Sequence, residues 1–162
     1  MFLKILDYIR ILSVSIAFFF GYQIAFAGSS YNAIGQLHFM IPIIIFAIAG
    51  LSGLEGLFFS DQSARLKGFA IGSNYQKQSA YALLSYAIIS LLILILNWGI
   101  KAELSILFVF MFFFILSAIN HGREAIIHKN YSWQNINRPF ITLFLILGLI
   151  YPVIIACQSL NS

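Results

Sequence analysis

Residues 39–59 read FMIPIIIFAIAGLSGLEGLFF, an uninterrupted apolar run that contains one charged residue, Glu55. A helix needs roughly 20 residues to cross the ~30 Å hydrocarbon core of a bilayer, and this run has that length. The strands of a membrane barrel instead alternate apolar and polar residues over short segments. The run therefore predicts a transmembrane helix.

The composition of the whole chain points to the same class of protein. Of its 162 residues, 61% are hydrophobic and 9% are charged, whereas soluble domains have about 45–50% apolar and ~25% charged residues. The mean hydropathy is +0.94. So few charges cannot cover a water-facing surface, which excludes a soluble enzyme, a disordered chain and a nucleic-acid-binding protein.

Four further apolar runs bring the number of predicted transmembrane helices to five. The five predicted helices cover residues 8–28, 39–59, 79–100, 103–128 and 139–157. Since the segments between them are too short to bury a core of their own, residues 1–162 are expected to form a single transmembrane domain. The predicted fold class is all-α, a polytopic helical bundle in a membrane.

The first predicted helix has a second interpretation as a signal peptide. Lys4 and Arg10 precede its apolar run, and Ala25-Phe26-Ala27 resembles a signal-peptidase site. Cleavage there would leave four transmembrane helices. We expect the helix to be retained, because such alanine triplets are common in apolar sequence.

The distribution of Lys and Arg predicts the orientation. With five alternating spans, eight of the nine basic residues fall on one side of the membrane, and Lys101 alone falls on the other. The eight are Lys4, Arg10, Arg65, Lys67, Lys77, Arg123, Lys129 and Arg138. Because cytoplasmic loops collect positive charge, we expect a bacterial-type cytoplasmic (inner) membrane, with the N-terminus cytoplasmic and the C-terminus outside.

Glu55 is the only acidic residue within the apolar stretches of the predicted helices, which are residues 11–27, 39–59, 80–100, 104–120 and 140–157. A carboxylate at membrane depth is costly and by default indicates a function, which here would be proton or cation coupling. The alternative is structural, since Glu55 lies close to the cytoplasmic edge and could pair there with Arg65 or Arg123. The sequence leaves both interpretations open.

If Glu55 is functional, it is expected to lie in a polar pocket formed with other residues. Tyr75, Gln78 and Ser85 follow a three-four spacing along one face of the third predicted helix. Asn120 and His121 lie where the apolar stretch of the fourth predicted helix ends. These five residues with Glu55 are the candidate pocket, and the alternative is that they are ordinary interfacial residues.

Small residues beside Glu55 have a simpler explanation. Ala49 with Gly53, and Ser52 with Gly56, follow the spacing that lets two helix backbones approach closely. We expect these four residues to pack helices together within the bundle.

The chain contains no convincing metal site, and we expect no metal and no cofactor. His121, Glu124 and His128 share a helix face, but the two histidines lie about 10.5 Å apart along the axis, at 1.5 Å per residue. A single cysteine, Cys157, excludes an intramolecular disulfide.

Two short motifs suggest a family. Residues 50–59, GLSGLEGLFF, continue after a short loop into residues 71–78, IGSNYQKQ. This pattern of a glycine-rich helix end followed by a Gly-Ser-x-aromatic-Gln helix start resembles the DUF6790 family of small bacterial membrane proteins, over roughly residues 39–157. The resemblance implies a four-helix core preceded by an N-terminal helix, and no established activity.

Short loops and 17 phenylalanines favour contacts within the bilayer, and no nucleophile or nucleotide motif predicts an enzyme. The predicted function is therefore a non-enzymatic accessory protein, or a bundle that binds lipid or another apolar ligand. The alternative is a small proton- or cation-coupled transporter that uses Glu55. Expected partners are the lipid bilayer, and a membrane protein or a second copy of the chain.

Overall fold

The computed structural model describes residues 2–67, 71 and 74–161, without the side chains of Phe2, Lys67 and Gln134. Within them all regular structure is helical. The elements are α1 (Phe2–Ala25), α2 (Ala33–Ile45), a π-helical segment (Phe46–Gly50), α3 (Leu51–Phe58), α4 (Ser60–Lys67), α5 (Asn74–Ile95), α6 (Ile100–Ile127) and α7 (Trp133–Ser159). Gly72 and Ser73, from the second family motif, lie outside the described residues.

Four of the described helices are long and apolar enough to cross a membrane. They are Ala33–Phe58, Asn74–Ile95, Ile100–Ile127 and Asn135–Ser159. The predicted all-α fold class is confirmed for the described residues, and the four helices are compatible with a polytopic bundle. α1 is not among the four, so a fifth span remains a prediction.

The second helix runs through α2, the π-helical segment and α3 without a break. It begins at Ala33, earlier than the apolar run alone indicates, because the Asn32 side chain caps it by accepting a hydrogen bond from the Gly35 backbone N–H at 2.8 Å. The π-helical turn comes just before Glu55, and such turns occur frequently at functional sites. This helix supplies most of the fully buried apolar residues of the core, including Leu37, Met40 and Ile44.

Two faces of this second helix have different neighbours. Glycines at three-residue spacing face α5, where a Cβ on Gly53 would lie 2.6 Å from Leu84 Cγ and one on Gly56 would lie 2.7 Å from Ala80 Cβ. Ile48 and Ser52 lie on another face with Glu55, and that face lines a cavity. The small residues on the first face therefore bring α3 and α5 together, while the second face remains open to a cavity.

The opposite end of the bundle is closed by aromatic and polar contacts. Tyr31, in the loop before α2, packs on Phe26 and Tyr151, with ring centroids 5.2 and 5.1 Å away. Its hydroxyl donates a hydrogen bond to Gln36. Burial, with smaller contributions from Tyr22 and Tyr151, raises the pKa of Tyr31 to about 12, so its phenol stays protonated at ordinary pH.

Candidate functional site

A cavity of about 690 Å³ lies among α1, the second helix, α4 and α7, with one side chain from α6. Most of its lining is apolar, and its four charged residues lie close together. The polar lining residues are Asp7, Arg10, Ser15, Ser52, Glu55, Ser63, Asn137 and Arg138. The cavity thus joins an apolar body to a charged end, which consists of Asp7, Arg10, Glu55 and Arg138.

α1 and α7 contact each other at Gly148, beside the cavity. Gly148 permits that contact, since a Cβ there would lie 2.3 Å from the Phe18 ring. The Tyr22 hydroxyl adds a hydrogen bond to the Gly148 carbonyl oxygen at 3.0 Å. Toward Arg10 and Arg138, both helices line the cavity instead of filling it.

Glu55 lies at the charged end and is paired with α1. Its side chain is only 7% exposed, and Oε2 lies 2.5 Å from Nη2 of Arg10, whose side chain is 11% exposed. Ser63, from α4, donates a hydrogen bond to Oε1 at 2.5 Å. Both carboxylate oxygens therefore have a partner, as a buried carboxylate requires.

Arg10 also contacts a second acid. Its Nη1 lies 2.5 Å from Oδ1 of Asp7, three residues earlier on the same helix. Asp7 is more open, with 38% of its side chain exposed. Arg10 therefore bridges a buried acid of α3 and a partly exposed acid of α1.

Arg138 is the second cation of the cavity. Its guanidinium lies over the Phe114 ring, 5.6 Å from the centroid, a favourable cation–π arrangement. It interacts electrostatically with Arg10, Glu55 and Asp7, but among the described residues it forms no ion pair with a carboxylate within 4.0 Å. Arg138 is thus a cavity cation without a contacting anion.

The structure does not bring the candidate polar pocket together. Of its six residues, only Glu55 lines the cavity. Tyr75, Gln78, Ser85 and Asn120 are exposed. The three-four spacing of Tyr75, Gln78 and Ser85 places them on one face, and that face is exposed and does not line the cavity.

His121 lies in a separate buried contact. Its Nδ1 is 2.7 Å from Oδ1 of Asn135, and the Asn135 amide donates to the Asn130 carbonyl at 3.0 Å. These bonds join the end of α6 to the start of α7. In the part of the chain that the structure describes, no three His, Cys, Asp or Glu residues are placed to hold a metal ion.

The four small residues that were expected to pack helices together lie in three different surroundings. Gly53 and Gly56 face α5, as described, and Ala49 is fully buried in the apolar core. Ser52 lines the cavity, is 8% exposed, and its hydroxyl has no hydrogen-bond partner among the described residues.

Sequence reasoning did not select three charged residues of the site, Asp7, Arg10 and Arg138. From the sequence, Arg138 indicates only orientation, and Arg10 indicates orientation or the start of a signal peptide. The predicted partners of Glu55 are instead Arg65 and Arg123, because Glu55 lies close to the cytoplasmic edge. The available signal was the Asp7–Arg10 spacing of three, which places opposite charges on one face of a helix.

The fold and site define a class: an all-helical bundle that has four helices suited to crossing a membrane and a charged cluster within the bundle. Residues 37–161 match the family of unknown function DUF6790, and the chain belongs to that family. The match confirms the resemblance found in the sequence, and it leaves α1 outside the matched range. No curated protein and no solved structure matches the chain.

Proposed function

We propose that this chain is a non-enzymatic membrane protein that binds an amphiphilic molecule in the cavity. The observation that carries the proposal is the union of an apolar body with a charged end in one cavity of about 690 Å³. Small-molecule sites commonly have volumes of ~300–1,000 Å³, mostly apolar walls and a few well-placed polar groups. An amphiphile matches both parts of this cavity.

The exposure of the lining residues supports entry from the side. Ile11, Phe144 and Leu147 line the cavity and are 50%, 69% and 60% exposed. They belong to α1 and α7, so the cavity opens along the flank between these helices. In a bilayer that flank would face lipid tails, from which an acyl chain can enter without crossing water.

Arg138 supports an occupant with an anionic group. A guanidinium binds phosphate or carboxylate through directed, charge-assisted hydrogen bonds. Arg138 lines the cavity, lies over the Phe114 ring, and has no carboxylate within 4.0 Å among the described residues. A phosphate or carboxylate at the charged end would supply the missing anion.

Coupled transport through Glu55 is the second candidate, because the cavity reaches this carboxylate. Arg10 and Ser63 already contact its two oxygens, so a proton or cation would first have to displace a buried partner. We therefore assign Glu55 a structural role. In liposomes, a proton-coupled uptake that Glu55→Gln abolishes would reverse this assignment.

Filling the cavity tests amphiphile binding. Val14 is partly buried and lines the cavity, whereas Ile16 lies two residues further on α1 and does not. Native mass spectrometry of the purified full chain should show bound lipid, which Val14→Phe removes and Ile16→Phe retains. Equal lipid occupancy in both variants would contradict the proposal.

We also propose that the chain lies in a bacterial-type cytoplasmic membrane with its N-terminus cytoplasmic. The eight-to-one division of basic residues supports this orientation. In a Cys157→Ser background, a membrane-impermeant maleimide added to intact cells should label Ser29→Cys and leave Asp61→Cys unlabelled. The reverse pattern would invert the topology.

Partners in the membrane are a further part of the proposal. Phe108 and Phe112 of α6 are 53% and 67% exposed, so they would face lipid, a partner protein or a second copy of the chain. Crosslinking in native membranes would distinguish these surroundings.

A further inference from the structure

We infer that the cavity selects a zwitterionic phospholipid headgroup with a primary ammonium, as in phosphoethanolamine. The phosphate would lie at Arg138 and the ammonium at Asp7. This inference rests on the proposed function, because it names the headgroup of the amphiphile that the cavity binds.

The formal charges of the cavity lining sum to zero. Arg10 and Arg138 are balanced by Asp7 and Glu55, and all four residues line the same cavity. A charge placed in a low-dielectric site without compensation is costly. An anionic lipid would leave one uncompensated negative charge, while a zwitterionic headgroup would leave none.

Two of the four charged groups are already engaged. The Glu55 oxygens contact Arg10 and Ser63, and Arg10 uses one amino group for Glu55 and the other for Asp7. Glu55 and Arg10 therefore hold each other, and the buried Nε of Arg10 is left without a hydrogen-bond partner among the described residues. A ligand would therefore interact with the two remaining groups, Arg138 and Asp7.

Arg138 and Asp7 have capacity left for such a ligand. Asp7 forms its contact with Arg10 through Oδ1, and no described hydrogen bond reaches its Oδ2. An ammonium N–H can donate a charge-assisted hydrogen bond to that oxygen. A quaternary ammonium has no N–H and therefore cannot donate a hydrogen bond to Asp7. Such groups are recognised mainly by aromatic cages instead.

Ser52 supplies a third polar group in the wall of the cavity. The Ser52 hydroxyl is buried and lacks a partner among the described residues, although it lies on the cavity face one turn before Glu55. Buried hydroxyls are normally hydrogen-bonded. A phosphate or glycerol oxygen at the charged end would satisfy it.

The test compares lipids with the same acyl chains on the purified full chain. Native mass spectrometry titrations would use phosphatidylethanolamine, phosphatidylcholine, phosphatidylglycerol and diacylglycerol. We expect phosphatidylethanolamine to bind at least about tenfold more tightly than each of the others, a difference of ~1.4 kcal/mol.

Charge variants then test the two contacts. Asp7→Asn leaves the cavity with one excess positive charge, so preference should move from phosphatidylethanolamine to phosphatidylglycerol. Arg138→Gln should weaken phosphatidylethanolamine binding about tenfold, ~1.4 kcal/mol. The matched controls are Asp61→Asn and Arg65→Gln, both exposed on α4 and outside the cavity lining.

The outcomes separate this inference from the proposed function. Equal binding of all four lipids, or a preference for phosphatidylglycerol or phosphatidylcholine by the unmodified chain, would overturn the headgroup assignment while amphiphile binding stood. Binding of no lipid would overturn both. The lipid series on the unmodified chain decides the question even where a variant fails to fold.

Discussion

The contact between Arg10 and Glu55 ties α1 to the second helix across 45 positions of sequence, and its removal has a calculable cost. With charge centres ~4 Å apart, an effective dielectric of ~20 gives an attraction of about 4 kcal/mol. Removing one member of a buried pair typically costs ~3–5 kcal/mol, because the other charge stays buried. Ser63 still donates to Glu55, so we expect Arg10→Met to lower the free energy of unfolding by about 3 kcal/mol.

Companion variants separate the pair from other effects of the substitution. Glu55→Gln should cost less, about 1–3 kcal/mol, because Arg10 keeps its contact with Asp7. The double variant should be more stable than Arg10→Met alone, since it no longer contains a lone buried carboxylate. A double-mutant cycle should therefore give a coupling energy of at least about 1.5 kcal/mol.

The assay is reversible unfolding of the purified full chain in mixed micelles, followed by circular dichroism. Lys4→Met is the matched control, because Lys4 is an exposed cation on the same helix; it should change stability by less than ~0.5 kcal/mol. An Arg10→Met variant as stable as this control, or an additive cycle, would refute the role given to the pair.

Three other predictions concern the contact of α3 with α5, the buried phenol of Tyr31 and the presence of α1. Gly53→Ala should destabilise the chain by about 1–3 kcal/mol, because its Cβ would overlap α5. The control Gly122→Ala, whose Cβ would have an ordinary 3.7 Å contact, should be neutral or stabilising by up to ~1 kcal/mol. Equal stabilities of the two variants in the micelle assay would argue against a close approach of α3 and α5. Since the pKa of Tyr31 is raised from 10.0 to about 12, the stability linked to its protonated phenol should be complete below pH 10 and be lost as the pH rises toward 12. The difference in phenolate absorbance between the unmodified chain and Tyr31→Phe should rise near pH 12. A rise near pH 10 would contradict the raised pKa. Deleting residues 1–27 should prevent stable folding in micelles, and Glu55→Gln should partly restore it. A truncated chain that folds stably with Glu55 unchanged would show that the buried carboxylate is tolerated without α1 and would contradict the prediction.

The helical class and the approximate positions of the helices were predictable, because a bilayer requires long apolar runs and composition reports them directly. The site was less predictable, because periodicity gives the residues that share a face but not the helix that the face meets. Tyr75 and Gln78 illustrate this limit, since they share a face that is exposed. Gly53 and Gly56 illustrate the opposite case, because small residues in an apolar helix have few uses other than a close approach.

The pairing of Glu55 was hidden for a different reason. Arg10 lies on α1, which packs mainly against α2, so its level in the bundle is set by that packing, in which a Cβ on Gly21 would lie 2.4 Å from Met40 Cγ. Nothing in the sequence near Glu55 reports that level. Distance along the chain therefore favoured Arg65, while packing between the helices selected Arg10.

This dependence on α1 leads to a prediction about the family. The match to DUF6790 begins at residue 37, so it includes Glu55 and Arg138 but excludes Asp7 and Arg10. Because a buried carboxylate without a cation is strongly destabilising, a family member with an acid equivalent to Glu55 should also have a preceding helix with a cation at the level of Arg10. Aligned family sequences should show the two residues present or absent together. A large group that keeps the acid without any preceding helix would mean that Arg138, the other cation of the cavity, is sufficient to compensate it.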